Sequence, residues 1–113
     1  MVHLVTAIIK PHKLEEVKEA VRGLGVQGLT VSEVQGYGRQ GGKSETFRGS
    51  EYNLEFVPKV KVEMLVETGI VDKVFEIVGN AARTGKIGDG KVWAVDVDQT
   101  MRVRTGELGT DAL

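Results

Sequence analysis

Residues His3 to Ile9 form a short run rich in branched side chains, stopped by Lys10-Pro11. Both alternating sets, Leu4/Thr6/Ile8 and Val5/Ala7/Ile9, are largely apolar. A strand alternates its side chains between two faces, so this pattern predicts a strand buried on both. Val92 to Val97 reads the same way. Two such strands demand two covering layers, and the rest of the chain must supply or recruit them.

The remaining periodicities supply one layer. From Lys13 the spacing turns helical: Leu14, Val17, Val21 and Leu24 share a stripe, Glu15, Glu16, Lys18, Glu19 and Arg22 lie opposite, and Gly25 is placed to cap the C-terminus. Leu29 to Val34 alternates as a second strand. From Val57, Val60, Val62, Met64 and Val66 face one way and Lys61 and Glu63 the other, a half-solvated third strand. Ile70 to Arg83 is a second amphipathic helix, with Val71, Val74, Phe75, Val78 and Ala82 on its apolar stripe.

The order strand–helix–strand–strand–helix–strand predicts an α+β, ferredoxin-like βαββαβ (split βαβ) domain over 1–113. Two helices cover only one face of a four-stranded sheet, so the other face predicts a compact homo-oligomer with sheets packed inward. With 113 residues the chain builds one core and not two. It contains no cysteine, which removes disulfides, thiolate nucleophiles and Cys-based metal sites and suits the cytoplasm. No apolar run is long enough to span a bilayer, and Met-Val-His-Leu-Val-Thr lacks the layout of a signal peptide. A net charge of −1 argues against a nucleic-acid binder, so anion recognition must come from local clusters.

Such clusters exist. Gly85-Lys86-Ile87-Gly88-Asp89-Gly90-Lys91 spells the G-x-x-x-x-G-K of a phosphate-binding loop, in which backbone N–H groups converge on an anion that a lysine neutralises. Val92 stands where a nucleotide hydrolase needs Ser or Thr, and a strand follows instead of a helix. A ligand-free Gly-rich turn is the competing reading of this stretch alone. Arg102 and Arg104, two apart, would project from one side of an extended segment and chelate a phosphate chain. Gly36 to Gly42 is a second backbone-exposing run, and Lys59 offers a charge for a small carboxylate. Tyr37 to Phe56 has no periodicity, and long loops of this kind inside compact domains are usually functional or disordered. His3 and His12 lack partners at metal-ligand or triad spacing and read as structural, and no carboxylate pair stands out as an acid/base couple.

Five segments, Gly-Tyr-Gly-Arg-Gln at 36–40, Phe-Arg-Gly-Ser-Glu-Tyr at 47–52, Phe-Val-Pro-Lys-Val-Lys at 56–61, Thr-Gly-Lys-Ile-Gly-Asp-Gly-Lys at 84–91 and Arg-Val-Arg-Thr-Gly-Glu at 102–107, resemble the nitrogen regulatory P-II signal-transduction proteins. The similarity runs from the first strand to the tail. It implies a homotrimeric sensor without catalytic turnover, in which ATP and ADP compete for clefts between subunits and 2-oxoglutarate joins Mg-ATP. The nucleotide residues it implies are Gly38, Arg39, Ile87, Gly88, Asp89, Gly90, Lys91, Arg102 and Arg104, with Thr30 and Glu63 nearer base and ribose. For 2-oxoglutarate it implies Gln40, Lys59, Gly38, Gly41 and Gly42, with Gln40 also meeting Mg²⁺. The segment at about 37–56 corresponds to the T-loop, the stretch at about 83–91 to the B-loop, and 98–113 to the C-terminal tail. The T-loop is implied to dock on ammonium transporters or nitrogen-metabolism enzymes, with Phe47, Arg48 and Tyr52 at the contact. Tyr52 matches a nucleotidylylation site and Ser50 a site of phosphorylation in some members.

The sequence departs from the family pattern at Gly41, Lys43, Ser44 and Phe47, which bears on partner choice. An RNA-binding module of the same topology is the rival from another class, since Arg48-Gly49 with Tyr52 and Phe56 loosely echoes its aromatic motif. Aromatic residues make up only 5% of the chain, which disfavours that reading.

Overall fold

A computed structural model describes residues 1–38 and 56–113. In chain order it contains β1 (Val2–Ile9), α1 (Leu14–Gly23), β2 (Thr30–Gly36), β3 (Val57–Glu67), α2 (Val71–Ala82) and β4 (Lys91–Val97). Single 3₁₀ turns span Pro11–Lys13, Thr68–Ile70 and Gly109–Ala112. The sheet order is β2-β3-β1-β4, with every neighbouring pair antiparallel. This is the βαββαβ arrangement that the periodicities predict, with the aperiodic stretch between β2 and β3. Residues 39–55, and the roles expected of them from the sequence, lie outside the described residues.

Register explains how the faces divide. Val5 pairs with Met64 and Ala94, and Ala7 with Val62 and Val92, so one apolar layer crosses three strands. Val17 and Val21 of α1 and Val74, Val78 and Ala82 of α2 close over it to form the buried core. Burying side chains such as Val62 or Val74 stabilises by about 1.5–3 kcal/mol each. α1 stops as its glycine predicts. Gly25 has φ 98°, Gly25 N donates to Arg22 O and Val26 N to Val21 O, a Schellman closure that satisfies the last carbonyls.

The opposite face is only partly covered. Leu4 and Ile8 are half-buried, while Leu65, Trp93 and Val95 are 41%, 43% and 50% exposed. The sequence predicts burial on both faces of β1 and β4, and within one subunit that burial is incomplete. The physical reason is the one already visible in the sequence: two helices have no surface left with which to cover it.

One local reading changes, and two others gain detail. The segment holding Arg102 and Arg104 is not extended, because Met101 bridges Leu108 around a turn at 103–105. Arg102 and Arg104 therefore do not share one side of an extended segment. His3 does have partners, far away in sequence: Nδ1 is 2.8 Å from Thr68 Oγ1 and Nε2 is 3.0 Å from Asp96 Oδ1. They tie the start of β1 to both neighbouring strand ends, which is a structural role. Finally, Phe56 precedes β3, and the outward residues of the two central strands are Leu4, Thr6, Ile8, Lys61, Glu63 and Leu65. An RNA-binding sheet would need aromatic side chains there.

Candidate functional site

The chain leaves α2 at Ala82 and reaches β4 at Lys91 through a loop that holds itself together. The Asp89 carboxylate accepts N–H bonds from Thr84 and Gly85, each 2.8 Å, and a further bond from the Thr84 hydroxyl. Lys10, just beyond the end of β1, places its ammonium 3.2 Å from Asp89 Oδ1 and 3.1 Å from Thr84 Oγ1. The Thr84 oxygen also accepts the N–H of Lys86 at 3.2 Å. The Thr84 hydroxyl above all, with the two amides and the Lys10 ammonium, holds the Asp89 carboxyl well below the ordinary carboxylate range, overcoming desolvation, which opposes the shift more strongly than any single amide promotes it. The stability this linkage supplies is present above the unfolded carboxylate pKa and is lost only as pH falls through the depressed folded value. The clamp is therefore intact at neutral pH.

Glycine is needed here for two different reasons. Gly88 has φ 97°, which turns the backbone at the loop's crown. Gly90 has φ 101° and passes so close to β1 that a Cβ would lie 1.7 Å from the Ile8 carbonyl oxygen. The β4 strand beginning at Lys91 replaces the helix that a nucleotide-hydrolysing loop would open, so the phosphate-loop spelling has a different context.

Lys59 joins this loop to the root of the segment between β2 and β3. Its side chain runs past Gly36, where a Cβ would lie 3.1 Å from Lys59 Cγ, and its ammonium donates to the Gly88 carbonyl. Lys59 is 7% exposed; burial, followed by the nearby Lys10 charge, pushes its pKa below the ordinary value, while Asp89 opposes the shift. Beside it, Tyr37 and Phe56 pack ring against ring with centroids 5.6 Å apart.

Together these elements line an open cleft of about 550 Å³. Of the residues that the sequence singles out, the cleft gathers Gly38, Lys59, Ile87, Gly88, Asp89, Gly90 and Lys91. Ile8, Gly36, Tyr37, Lys86 and Trp93 complete its wall. Thr30 and Glu63 are not among them. They pair with each other across β2 and β3 and line a different cavity, which also holds Thr110, Ala112 and Leu113. Thr30 and Gly36 close the two ends of β2, roughly 20 Å apart at about 3.3 Å per residue. Arg102 and Arg104 lie on the tail turn. Arg102 donates to the Glu107 carboxylate at 2.9 Å and to the Leu113 carbonyl at 2.6 Å, whereas Arg104 has no hydrogen-bonding partner among the described residues. Arg39, Gln40, Gly41, Gly42, Phe47, Arg48, Ser50 and Tyr52 lie outside the described residues.

Sequence reasoning missed Lys10 and Thr84. A signal was present in the topology: β1 beside β4 puts the end of one strand against the loop that begins the other. Among the described residues there is no group of three or more His, Asp or Glu side chains arranged to hold a metal, and no helix is long and apolar enough to cross a membrane.

The comparisons with known proteins agree with this geometry. The model of the family "Nitrogen regulatory protein P-II" matches residues 2–107. A nitrogen regulatory protein P-II of Rhizobium etli is 51% identical over 110 residues, which is 97% of this chain and 98% of that protein. The nitrogen regulatory protein GlnK of Escherichia coli K12 is 52% identical over the same shares of the two chains. Among solved structures, the Arabidopsis thaliana PII bound to citrate superposes with a TM-score of 0.82 at 37% identity, over 99% of this chain and 92% of that one. A ferredoxin-like sheet, a self-clamped Gly-rich loop and near-complete matches to these relatives lead to one conclusion: the chain belongs to the P-II family of nitrogen regulatory proteins, which are signal transducers and not enzymes.

Proposed function

We propose that this chain senses ATP, ADP and 2-oxoglutarate at clefts between neighbouring copies and reports their presence through the segment joining β2 to β3. The observation that carries this reading is the convergence of Gly38, Lys59 and Ile87 to Lys91 on one cleft at the root of that segment. Lys59, Lys86 and Lys91 give the cleft a local positive field despite the net charge of −1, which favours anionic ligands.

The nucleotide set is complete only with a second copy. Thr30 and Glu63 line a cavity separate from the cleft, and a subunit that contacts its neighbour head to tail brings unlike surfaces together and closes into a ring. Leu65, Trp93 and Val95 on the uncovered sheet, with Met101 and Val103 on the tail, are the apolar surface such a contact would bury. A homotrimer meets these requirements. In it, Thr30 and Glu63 of one subunit approach base and ribose, while Gly88, Gly90 and Lys91 of another, with Arg39, Arg102 and Arg104, hold phosphates.

Lys59 is the residue for the distal carboxylate of 2-oxoglutarate. Its buried ammonium is anion-directed, and the carbonyl it now meets is an acceptor that a carboxylate can replace. Gln40 would be the protein contact of bound Mg²⁺, which would supply positive charge for anionic ligands, with the backbone at Gly38, Gly41 and Gly42 around the acid. Ligand state then biases the 37–56 segment toward or away from an ammonium transporter or a nitrogen-metabolism enzyme, contacted through Phe47, Arg48 and Tyr52. Nucleotidylylation of Tyr52 or phosphorylation of Ser50 would alter that contact by adding charge and bulk. The cytoplasm is the compartment where these effectors and a cysteine-free chain meet.

Calorimetry with ADP and with Mg-ATP, each with and without 2-oxoglutarate, tests the reading. 2-Oxoglutarate is expected to bind only when Mg-ATP is present, and Gln40→Ala to abolish that step while largely sparing ADP. Equal 2-oxoglutarate binding without nucleotide, or none with it, overturns the proposal.

A further inference from the structure

We infer that Asp89, Thr84 and Lys10 are positioning residues that preform the Gly-rich loop, so that its phosphate-facing part is the short crown Ile87–Gly90 and not the whole Gly85–Lys91 stretch. This rests on the nucleotide reading above and deepens it. The residues at issue are two that the resemblance leaves without a role and one, Asp89, whose side chain turns out to face the loop itself.

A backbone N–H already bonded to a carboxylate cannot also serve an incoming phosphate at full strength. The amides of Thr84 and Gly85 both donate to Asp89, and that of Lys86 donates to the Thr84 hydroxyl. The first two donors of the phosphate-loop spelling, Gly85 and Lys86, and the Thr84 amide just before it are therefore engaged inside the loop. The clamp makes no claim on the amides of Ile87, Gly88 and Gly90, and the positive φ at Gly88 and Gly90 turns the backbone there.

An aspartate beside an anion site would ordinarily repel the ligand. Here its charge is met by two amides, a hydroxyl and the Lys10 ammonium at 3.2 Å, so the carboxylate is neutralised locally and its interaction is spent on loop shape. Thr84 is the hinge of the arrangement because its hydroxyl accepts from Lys10 and Lys86 and donates to Asp89. A preformed loop binds without first ordering itself, which is where the affinity gain arises.

The experiment uses the full chain with Asp89→Asn, Thr84→Val, Thr84→Ser and the Asp89→Asn/Thr84→Val double variant. Calorimetry with ADP reads affinity, and amide hydrogen exchange on the unliganded protein reads loop order. Asp89→Asn and Thr84→Val are each expected to weaken ADP about tenfold, the double variant no more than the worse single, and Thr84→Ser less than about threefold. Protection of the Thr84 and Gly85 amides should be lost in the same variants that lose affinity. If Asp89→Asn weakens ADP while Thr84→Val does not, Asp89 touches the ligand directly and the positioning role is overturned. Unchanged affinity in both singles overturns it as well. If the wild-type chain binds no ADP, the nucleotide reading fails, and the exchange measurement still decides whether the clamp orders the loop.

Discussion

Gly90 and Ile8 meet backbone to backbone, and a Cβ at position 90 would lie 1.7 Å from the Ile8 carbonyl oxygen. The Gly-rich loop is thus seated on β1 by an approach that no side chain permits. Gly90→Ala combines a left-handed φ with a backbone collision and is expected to cost about 4 kcal/mol or more. Gly85→Ala shares the positive φ but meets open space, and should cost about 1–2 kcal/mol. Urea unfolding of the two variants compares them directly; similar losses would show that the Ile8 contact relaxes.

Lys59→Met should separate stability from sensing. The folded state depresses the Lys59 pKa through burial, so the unfolded chain binds that proton more tightly. Stability of the wild type relative to Lys59→Met therefore rises as pH climbs from the folded pKa toward 10.5, and it is lowest below that window. Paired thermal melts at pH 7 and near pH 10 check the sign. The same variant is expected to lose 2-oxoglutarate binding.

The two tail arginines should behave differently. Arg102 is held by Glu107 and the Leu113 carbonyl, so Arg102→Ala removes contacts that order the tail as well as the phosphate contact proposed above. Arg104→Ala removes only the latter. Both should weaken ATP by about tenfold, a loss typical of one charge-assisted contact. Only Arg102→Ala should raise hydrogen exchange across residues 101–113. Equal exchange in the two variants would contradict the structural role of the Glu107 pair.

Trp93 reports on the uncovered sheet face. It is the only tryptophan in the chain and is 43% exposed in an isolated subunit. Covering it with a neighbouring copy should shift its emission to the blue, and Trp93→Glu should convert the proposed trimer to smaller species by light scattering, because a charge would have to be buried at the contact. A particle mass unaffected by Trp93→Glu would locate the subunit contact elsewhere.

Much of this molecule was legible in the chain itself. The alternation of Val60, Val62, Met64 and Val66 against Lys61 and Glu63, and the helical stripes from Leu14 and from Val71, set the elements and their order. The apolar pattern on both faces of β1 and β4 marked a sheet face that two helices leave partly exposed. Gly25 marked the end of α1, and the segments at 36–40, 84–91 and 102–107 carried the family resemblance. These features are local, so a short window of sequence contains the physics that produces them.

Tertiary structure alone decided how the site is built. Lys10 meets Thr84 across 74 positions and Lys59 meets Gly88 across 29, distances over which no periodicity carries information. It decided that Asp89 turns inward to its own loop, that Gly90 serves the contact with Ile8, and that the tail folds into a turn separating Arg102 from Arg104. It also put Thr30 and Glu63 in a cavity of their own, away from the cleft. The physical reason is common to all of them: side-chain hydrogen bonds and close backbone approaches depend on which strand ends the sheet order brings together, and the order β2-β3-β1-β4 exists only once the chain has folded.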